Sequence, residues 1–297
     1  MTNITQVKTA IFPVGGLGTR FLPATKSMPK EMLPIVNKPI IQYAFEEAKN
    51  AGIEKFIFVT GRNKNTINNH FDHSYELESR LDEHKKQQEI EKVSGWIPTA
   101  GQIAFVRQQK PLGLGHAIWC ARNFISDNEA FVVILADEMM LESNETRGHF
   151  LKKMLDFYYQ QSTPSNIVAV DEVAITEVEK YGIIATDNLI ANKITSMVEK
   201  PKQNNAPSNL AITGRYILQP EIFTELAKAK IGSGGEIQLT DAMNSMLSQQ
   251  NFYYQKINTK RFDCGSIIGY IEANLAFALD QQHLAQNLKS IIANYIK

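Results

Sequence analysis

An apolar run, Lys8-Thr-Ala-Ile-Phe-Pro13, leads directly into Val14–Pro34, VGGLGTRFLPATKSMPKEMLP, and this join limits the folds open to the chain more than any other feature. The run reads as a buried strand. A glycine turn comes next, then a helix with Pro39 in its first turn and Gly52 just past its end, then a second apolar run, Ile53–Thr60. Strand, crossover helix and strand require parallel pairing, and so an α/β sheet covered on both faces. Gly15, Gly16 and Gly18 let backbone amides approach an anion closely. Arg20, Lys26, Lys30 and Lys38 are the nearby counter-charges, with Arg20 able to fork across two oxygens. The turn fits neither the dinucleotide pattern G-x-G-x-x-G nor the P-loop G-x-x-x-x-G-K-[ST]. That omission argues against a nicotinamide-dependent dehydrogenase.

The same alternation continues downstream. Strands are expected at 102–107, 130–136 and 166–173, with helices at 114–124 and 146–160 between them. Residues 63–95 are polar and read as a peripheral helical hairpin with a solvated face. Beyond Tyr181 the pattern shortens into strands near Ile183, Lys193 and Ala211, expected as an antiparallel layer over the sheet's edge. Helices at 219–229 and 238–249 flank a Gly232-Ser-Gly-Gly235 loop. The segment from Tyr270 to Lys297 reads as helical, with Leu284, Leu288, Ile291, Ile292 and Tyr295 on one face. That stripe either packs on its own domain or meets a second copy.

Composition narrows the function classes. The 297 residues carry 31 basic and 31 acidic side chains, and this balance demotes a general nucleic-acid binder. Cys120 and Cys264 stand far apart, which suggests a reducing compartment, and the histidines show no zinc spacing. No apolar run approaches the ~20 residues of a membrane span, and no leader architecture opens the chain. A soluble cytoplasmic protein with no membrane or nucleic-acid partner is expected. Asp137 ends the most apolar strand, where ligands of open α/β sheets bind, although a carboxylate there equally serves as a turn cap. Asp263 is the second carboxylate candidate, and two such groups suit a hard cation such as Mg²⁺ completed by phosphate oxygens and water.

The segments GGLGTRFLPATKSMPKEMLP, FDHSYELE, VRQ with GLGHA, the Asp137 strand end, KYGII, MVEKP, GRYIL, GGEIQLTDA and RFDCGS occur in one order along nearly the whole chain. In this the chain resembles the nucleotidyltransferases that activate sugar 1-phosphates, and within them the bacterial UTP:glucose-1-phosphate uridylyltransferases. The resemblance implies a three-layer, Rossmann-like α/β fold with a mixed, mostly parallel sheet, a small antiparallel sugar-binding layer and C-terminal helices. It implies one domain over 1–297, with a nucleotide part at about 1–135, a sugar-phosphate part at about 136–265 and a helical end at about 266–297 that serves a homo-oligomer.

It also implies roles. Gly15, Gly16, Gly18 and Arg20 would hold the UTP triphosphate, with Lys30 near the α-phosphate. Gln108 and Gly113 would read the uracil edge. Asp137 and Asp263 would hold Mg²⁺. Gly182 and Glu199 would bond glucose hydroxyls and Lys200 the sugar phosphate, making Arg20, Lys30, Asp137 and Lys200 the catalytic set. The product would be UDP-glucose, with pyrophosphate released. Ile267 stands where a lysine is common in the family, so no phosphate contact is expected there. A thymidylyltransferase making dTDP-glucose and a catalytically silent sugar-nucleotide regulator are the alternatives.

Overall fold

The computed structural model describes residues 4–143, 145–187, 189–228, 232 and 235–295. Its first half builds the parallel part of a nine-stranded sheet. β1 (Thr9–Val14) is followed by a ribbon of β2 (Pro34–Ile35) and β3 (Lys38–Pro39), then α1 (Ile40–Asn50) and β4 (Lys55–Thr60). The expected crossover is therefore present. Pro39 lies one residue ahead of the first turn, still extended at ψ 145°, because it pairs with Pro34 in the ribbon. The polar stretch forms three short helices, α2 (Asn65–His70), α3 (Tyr75–Glu83) and α4 (Gln87–Ser94), the last two free of buried residues. β5 (Ile103–Arg107), α5 (Leu114–Cys120) and β6 (Phe131–Ile134) complete the parallel set.

The second half joins the same sheet. β7 (Glu138–Met140), α6 (His149–Tyr159) and β8 (Asn166–Glu172) precede β9 (Gly182–Thr186), β10 (Ile194–Glu199) and β11 (Leu210–Leu218). α7 (Ile222–Lys228), α8 (Leu239–Met246), β12 (Phe252–Lys256), β13 (Arg261–Asp263), α9 (Ile267–Asp280) and α10 (Gln282–Tyr295) come after them. The sheet runs β10-β9-β11-β6-β1-β4-β5, with β8 paired to β11 and β12 paired in parallel to β8. The antiparallel strands thus extend the central sheet where a layer over its edge was expected. The seam is β11, which pairs antiparallel with β6 and β9 and also with β8. Two further antiparallel ribbons, β2–β3 and β7–β13, stand apart from the sheet.

Alternation within the buried strands explains the three layers. Ala10, Phe12 and Val14 of β1, with Phe56 and Phe58 of β4 and Val132 and Ile134 of β6, face one core containing Ile41 and Phe45 of α1, Leu151 and Met154 of α6, and Phe277 of α9. Ile11, Ile57, Val59, Phe131 and Val133 face the other, against Ile118 of α5, Leu226 of α7 and Met243 of α8. Strands covered on both faces read as continuous apolar runs, which is why they stand out in the sequence. β12 does not, because its FYYQK run is short and its pairing depends on β8 being in place.

Helix bounds differ modestly from those expected. α5 ends at Cys120 and a 3₁₀ turn over Arg122–Phe124 takes up the remainder. Position 229 of the expected 219–229 helix, Ser233 and Gly234 of the glycine loop, and positions 296 and 297 lie outside the described residues. The C-terminal segment divides at Gln281 into α9 and α10. α10 packs on α9, with Leu284, Leu288 and Ile292 partly covered and Ile291 and Tyr295 exposed. Among the described residues no helix is long and apolar enough to cross a membrane.

Candidate active site

Two clefts open beyond the carboxyl ends of the parallel strands. The first, about 470 Å³, is bounded by Gly15, Gly16, Gly18, Lys30, Gln108, Gly113 and Asp137. The second, about 990 Å³, is bounded by Arg20, Lys30, Asp137, Gly182, Glu199, Lys200 and Asp263 among others. Every residue to which the resemblance gives a role borders one or both, and the two clefts meet at Lys30 and Asp137. Lys26 and Lys38 are not brought to either cleft. Lys38 is tied to Glu46 at 2.7 Å and borders a separate cavity beside Arg147 and Phe277.

The first cleft is shaped by close backbone approach. Gly15 lies under the Gln108 side chain, so that a Cβ there would meet Gln108 Oε1 at 2.6 Å. The amide of Gln108 is itself fixed, as Nε2 donates to the Gly113 carbonyl at 3.1 Å and lies 3.1 Å from His116 Nδ1. Since Nε2 is a donor, His116 accepts through Nδ1 and carries its proton on Nε2. Burial together with the nearby Arg122 charge lowers the His116 pKa, which keeps the ring neutral. This leaves Gln108 Oε1 as an acceptor at the cleft. Sequence alone gives His116 only a structural or surface reading, and its one signal is its place in GLGHA. The glycine loop is braced by Thr25, whose hydroxyl donates to the Gly18 carbonyl at 2.7 Å. Below it lies a buried ion pair, Lys64 to Glu31 at 2.7 Å.

At the junction Lys30 Nζ contacts Asp137 Oδ2 at 2.5 Å. Burial alone would lower the lysine pKa and raise that of the carboxyl, but their mutual attraction outweighs it. Lys30 is held above its ordinary range and Asp137 below. Asp263 arrives from the far end of the chain on the β7–β13 ribbon, where it faces Glu138 in register. The Cys264 N–H donates to the Asp137 carbonyl at 2.7 Å, and the Gly265 N–H to Asp263 Oδ1 at 2.8 Å. The two carboxylates converge. A methyl built on Gly265 would lie 2.9 Å from Asp263 Oδ1 and 3.0 Å from Asp137 Oδ2.

That cradle suits a hard cation. Among the described residues no cluster of three or more His, Cys, Asp or Glu could hold a metal. Any ion here would therefore take further oxygens from phosphate or water. The buried Cys264 thiol is pushed up by burial and by Asp137, Asp263 and Glu138, which removes it as a nucleophile. Arg20 is exposed and reaches the Gly265 carbonyl at 3.4 Å. Ile267, just beyond, is about half exposed and carries no charge toward the clefts.

The second cleft is organised by the pairing of β9 and β10, which sets Glu199 opposite Gly182. Glu199 accepts from the Thr240 hydroxyl at 2.7 Å and lies 3.1 Å from Lys200 Nζ. Lys200 takes a positive φ of 46° as β10 ends, with its N–H on the Tyr181 carbonyl at 3.0 Å. The opposite wall carries Arg261, paired with Glu138 at 2.7 Å and Asp171 at 3.3 Å. Burial, with Asp137 and Asp263 nearby, pushes Glu138 up to about 7 in spite of Arg261. Thr240 and Arg261 fall within the GGEIQLTDA and RFDCGS segments and Glu138 follows Asp137, but it takes the fold to show that their side chains line this cleft.

Residues 9–279 match the family model described as nucleotidyl transferase. The chain is 47% identical to a UTP--glucose-1-phosphate uridylyltransferase of Bacillus subtilis over 285 residues, 95% of each chain. It superposes on a UTP-bound UGPase from Acinetobacter baumannii with a TM-score of 0.86 and 35% identity, covering 98% of this chain and 100% of that one. A UDP-glucose pyrophosphorylase complexed with UDP-glucose gives a TM-score of 0.79 at 43% identity, covering 93% of this chain and 100% of that one.

Proposed function

We propose that this chain, which belongs to the nucleotidyl transferase family, joins UTP and α-D-glucose 1-phosphate into UDP-glucose and pyrophosphate. One observation carries the reading: a glycine-floored cleft and a Glu-Lys-lined cleft share a wall at Lys30 and Asp137. Two phosphorylated substrates placed in the two clefts would meet there. The activities named for the relatives support the same assignment.

The chemistry asked of the residues is positioning and charge neutralisation. An oxygen of the sugar phosphate, already anionic near neutral pH, attacks the α-phosphorus of UTP in line, and pyrophosphate departs on the opposite side. No general base is needed. Gly15, Gly16 and Gly18 offer backbone amides to the triphosphate, with Arg20 and Lys30 as counter-charges. Gln108 and Gly113 receive the uracil edge. Gly182 and Glu199 orient the sugar hydroxyls, and Lys200 holds the sugar phosphate. Asp137 and Asp263 would hold Mg²⁺, which when bound offsets the charge shared by the two substrates' phosphates. Lys30, paired with Asp137 on the shared wall, is placed to reach a substrate phosphate from there.

The test is pyrophosphate release by the full chain with UTP, glucose 1-phosphate and Mg²⁺, with dTTP in place of UTP as a parallel arm and Asp137→Ala as control. Metal-dependent release that needs both substrates and collapses in the variant is the expected result. Faster turnover with dTTP would shift the assignment to thymidylyl transfer. UDP-glucose binding without release would make the chain a regulator.

A further inference from the structure

Arg215, in β11, heads the fully buried side chains by volume, at 1% exposure. A guanidinium has five N–H donors, and here each has an acceptor. Nε and Nη2 bond the two carboxylate oxygens of Glu47 on α1, both at 2.7 Å. Nη1 donates to the carbonyls of Leu135 and Gly214, each at 3.0 Å, and Nη2 to the carbonyl of Glu138 at 2.8 Å. Leu135 and Glu138 bracket Asp137. They form the turn by which the chain leaves β6 and enters β7. Arg215 lies behind that turn, beside Ala136, Met139 and Met140, and does not border either cleft.

Stability alone does not call for this arrangement, since a buried ion pair is commonly no better than a well-packed apolar pair. What the fork supplies is geometry, because its donors are rigid and planar. We propose that Arg215 is the positioning residue of the Asp137 carboxylate, and that Glu47 fixes the plane of its guanidinium. By holding the carbonyls on either side, Arg215 aims Asp137 at the point where it converges with Asp263. Lysine in its place would keep the charge beside Glu47 but has three donors about one point and cannot hold three carbonyls apart. The inference rests on the reading of Asp137 and Asp263 as cation ligands.

The experiment compares full-length wild type with Arg215→Lys, Glu47→Gln and Asp137→Asn. Mn²⁺ binding is tracked by loss of the free-ion EPR signal in the presence of UTP, after subtraction of a UTP-only blank. kcat, KM for UTP and the thermal midpoint are measured on the same preparations. Arg215→Lys is expected to weaken Mn²⁺ binding about 10- to 100-fold, as loss of an orienting partner does. It should lower kcat, leave KM for UTP within about threefold, and regain part of kcat at high Mn²⁺. Glu47→Gln, which keeps the guanidinium and a neutral acceptor, should weaken Mn²⁺ binding in the same sense by about 3- to 10-fold, and it serves alone where Arg215→Lys does not fold. A lowered thermal midpoint with Mn²⁺ affinity and kcat unchanged would make Arg215 scaffold only. Loss of Mn²⁺ binding in Asp137→Asn, with both other variants like wild type, would overturn the positioning role and leave the metal reading standing. Wild-type Mn²⁺ affinity in Asp137→Asn would overturn both.

Discussion

Replacing Gly15 by alanine tests the first cleft through a single methyl. That methyl would lie 2.6 Å from Gln108 Oε1, 3.4 Å from the Gly61 amide nitrogen and 3.6 Å from the Val59 carbonyl oxygen. The strand backbone on the Val59 and Gly61 side cannot retreat, because Val14 is in register with Thr60 and the Gly15 carbonyl already lies close to Gly61. Relief therefore comes from Gln108. Its amide must swing away from both the Gly113 carbonyl and His116 Nδ1. The two lost bonds cost the fold stability in free and bound protein alike, whereas UTP itself loses the Oε1 acceptor; a donor of the uracil edge left unpaired there would cost about 2 kcal/mol, so UTP binding should fall about 30-fold. Gly16→Ala provides the contrast, as its methyl meets nothing nearer than Lys30 Cε at 3.9 Å. Its UTP affinity should stay within about threefold of wild type. Equilibrium UTP binding on both variants, with thermal midpoints to confirm folding, decides the matter. Wild-type affinity in Gly15→Ala, or equal losses in the two, would refute the reasoning.

Lys200→Ala should lower kcat/KM for glucose 1-phosphate about 100-fold, the effect of losing a charge-assisted phosphate contact, while UTP binding stays within about threefold; equal losses for both substrates would remove the role given to it. A pH effect on stability is expected at His70, which packs against Trp96 at 4.8 Å between ring centroids. Burial holds its pKa down to about 4 from 6.5, with Glu46 pulling the other way. The unfolded chain therefore takes up the proton first, and the stability gained from a neutral His70 is full above 6.5 and lost as pH falls toward 4. After discounting for its partial exposure, His70→Phe should remove about 1 kcal/mol of the wild-type loss between about pH 7 and 5. Urea unfolding midpoints at the two pH values measure this, and parallel slopes for the two proteins would exclude His70 as the source.

What could be read from the sequence was what is local. Apolar runs covered on both faces, the glycines beside them and a carboxylate at a strand end all sit within a few residues of each other, so the parallel half of the sheet and the Asp137 end were legible. The antiparallel half was harder. β11 reads LAITGRYIL, and Gly214 with Arg215 interrupts an otherwise apolar run; nothing nearby reveals that this arginine is buried, since apart from the Gly214 carbonyl its acceptors come from Glu47 and the 135–138 turn. His116 escapes a sequence reading for a related reason. A histidine on a short helix gains meaning only when the Gln108 amide lies against it. Lys38 is easily overvalued because it is close in sequence to the glycine loop, whereas the β2–β3 ribbon turns it toward Glu46.

The β7–β13 ribbon has a consequence for how the protein is made. It joins Asp137, near the middle of the chain, to Asp263, close to its end, and the Cys264 amide completes the join. During synthesis the glycine loop and the first parallel strands leave the ribosome long before Asp263 does. A nascent chain therefore contains every residue that borders the first cleft before the carboxylate pair is complete. Chemistry waits for the last strand to close against the middle of the chain. A chain cut short before β13 would keep the residues of the first cleft but lack one carboxylate of the pair, and with it the α9 side chains that cover one face of the sheet.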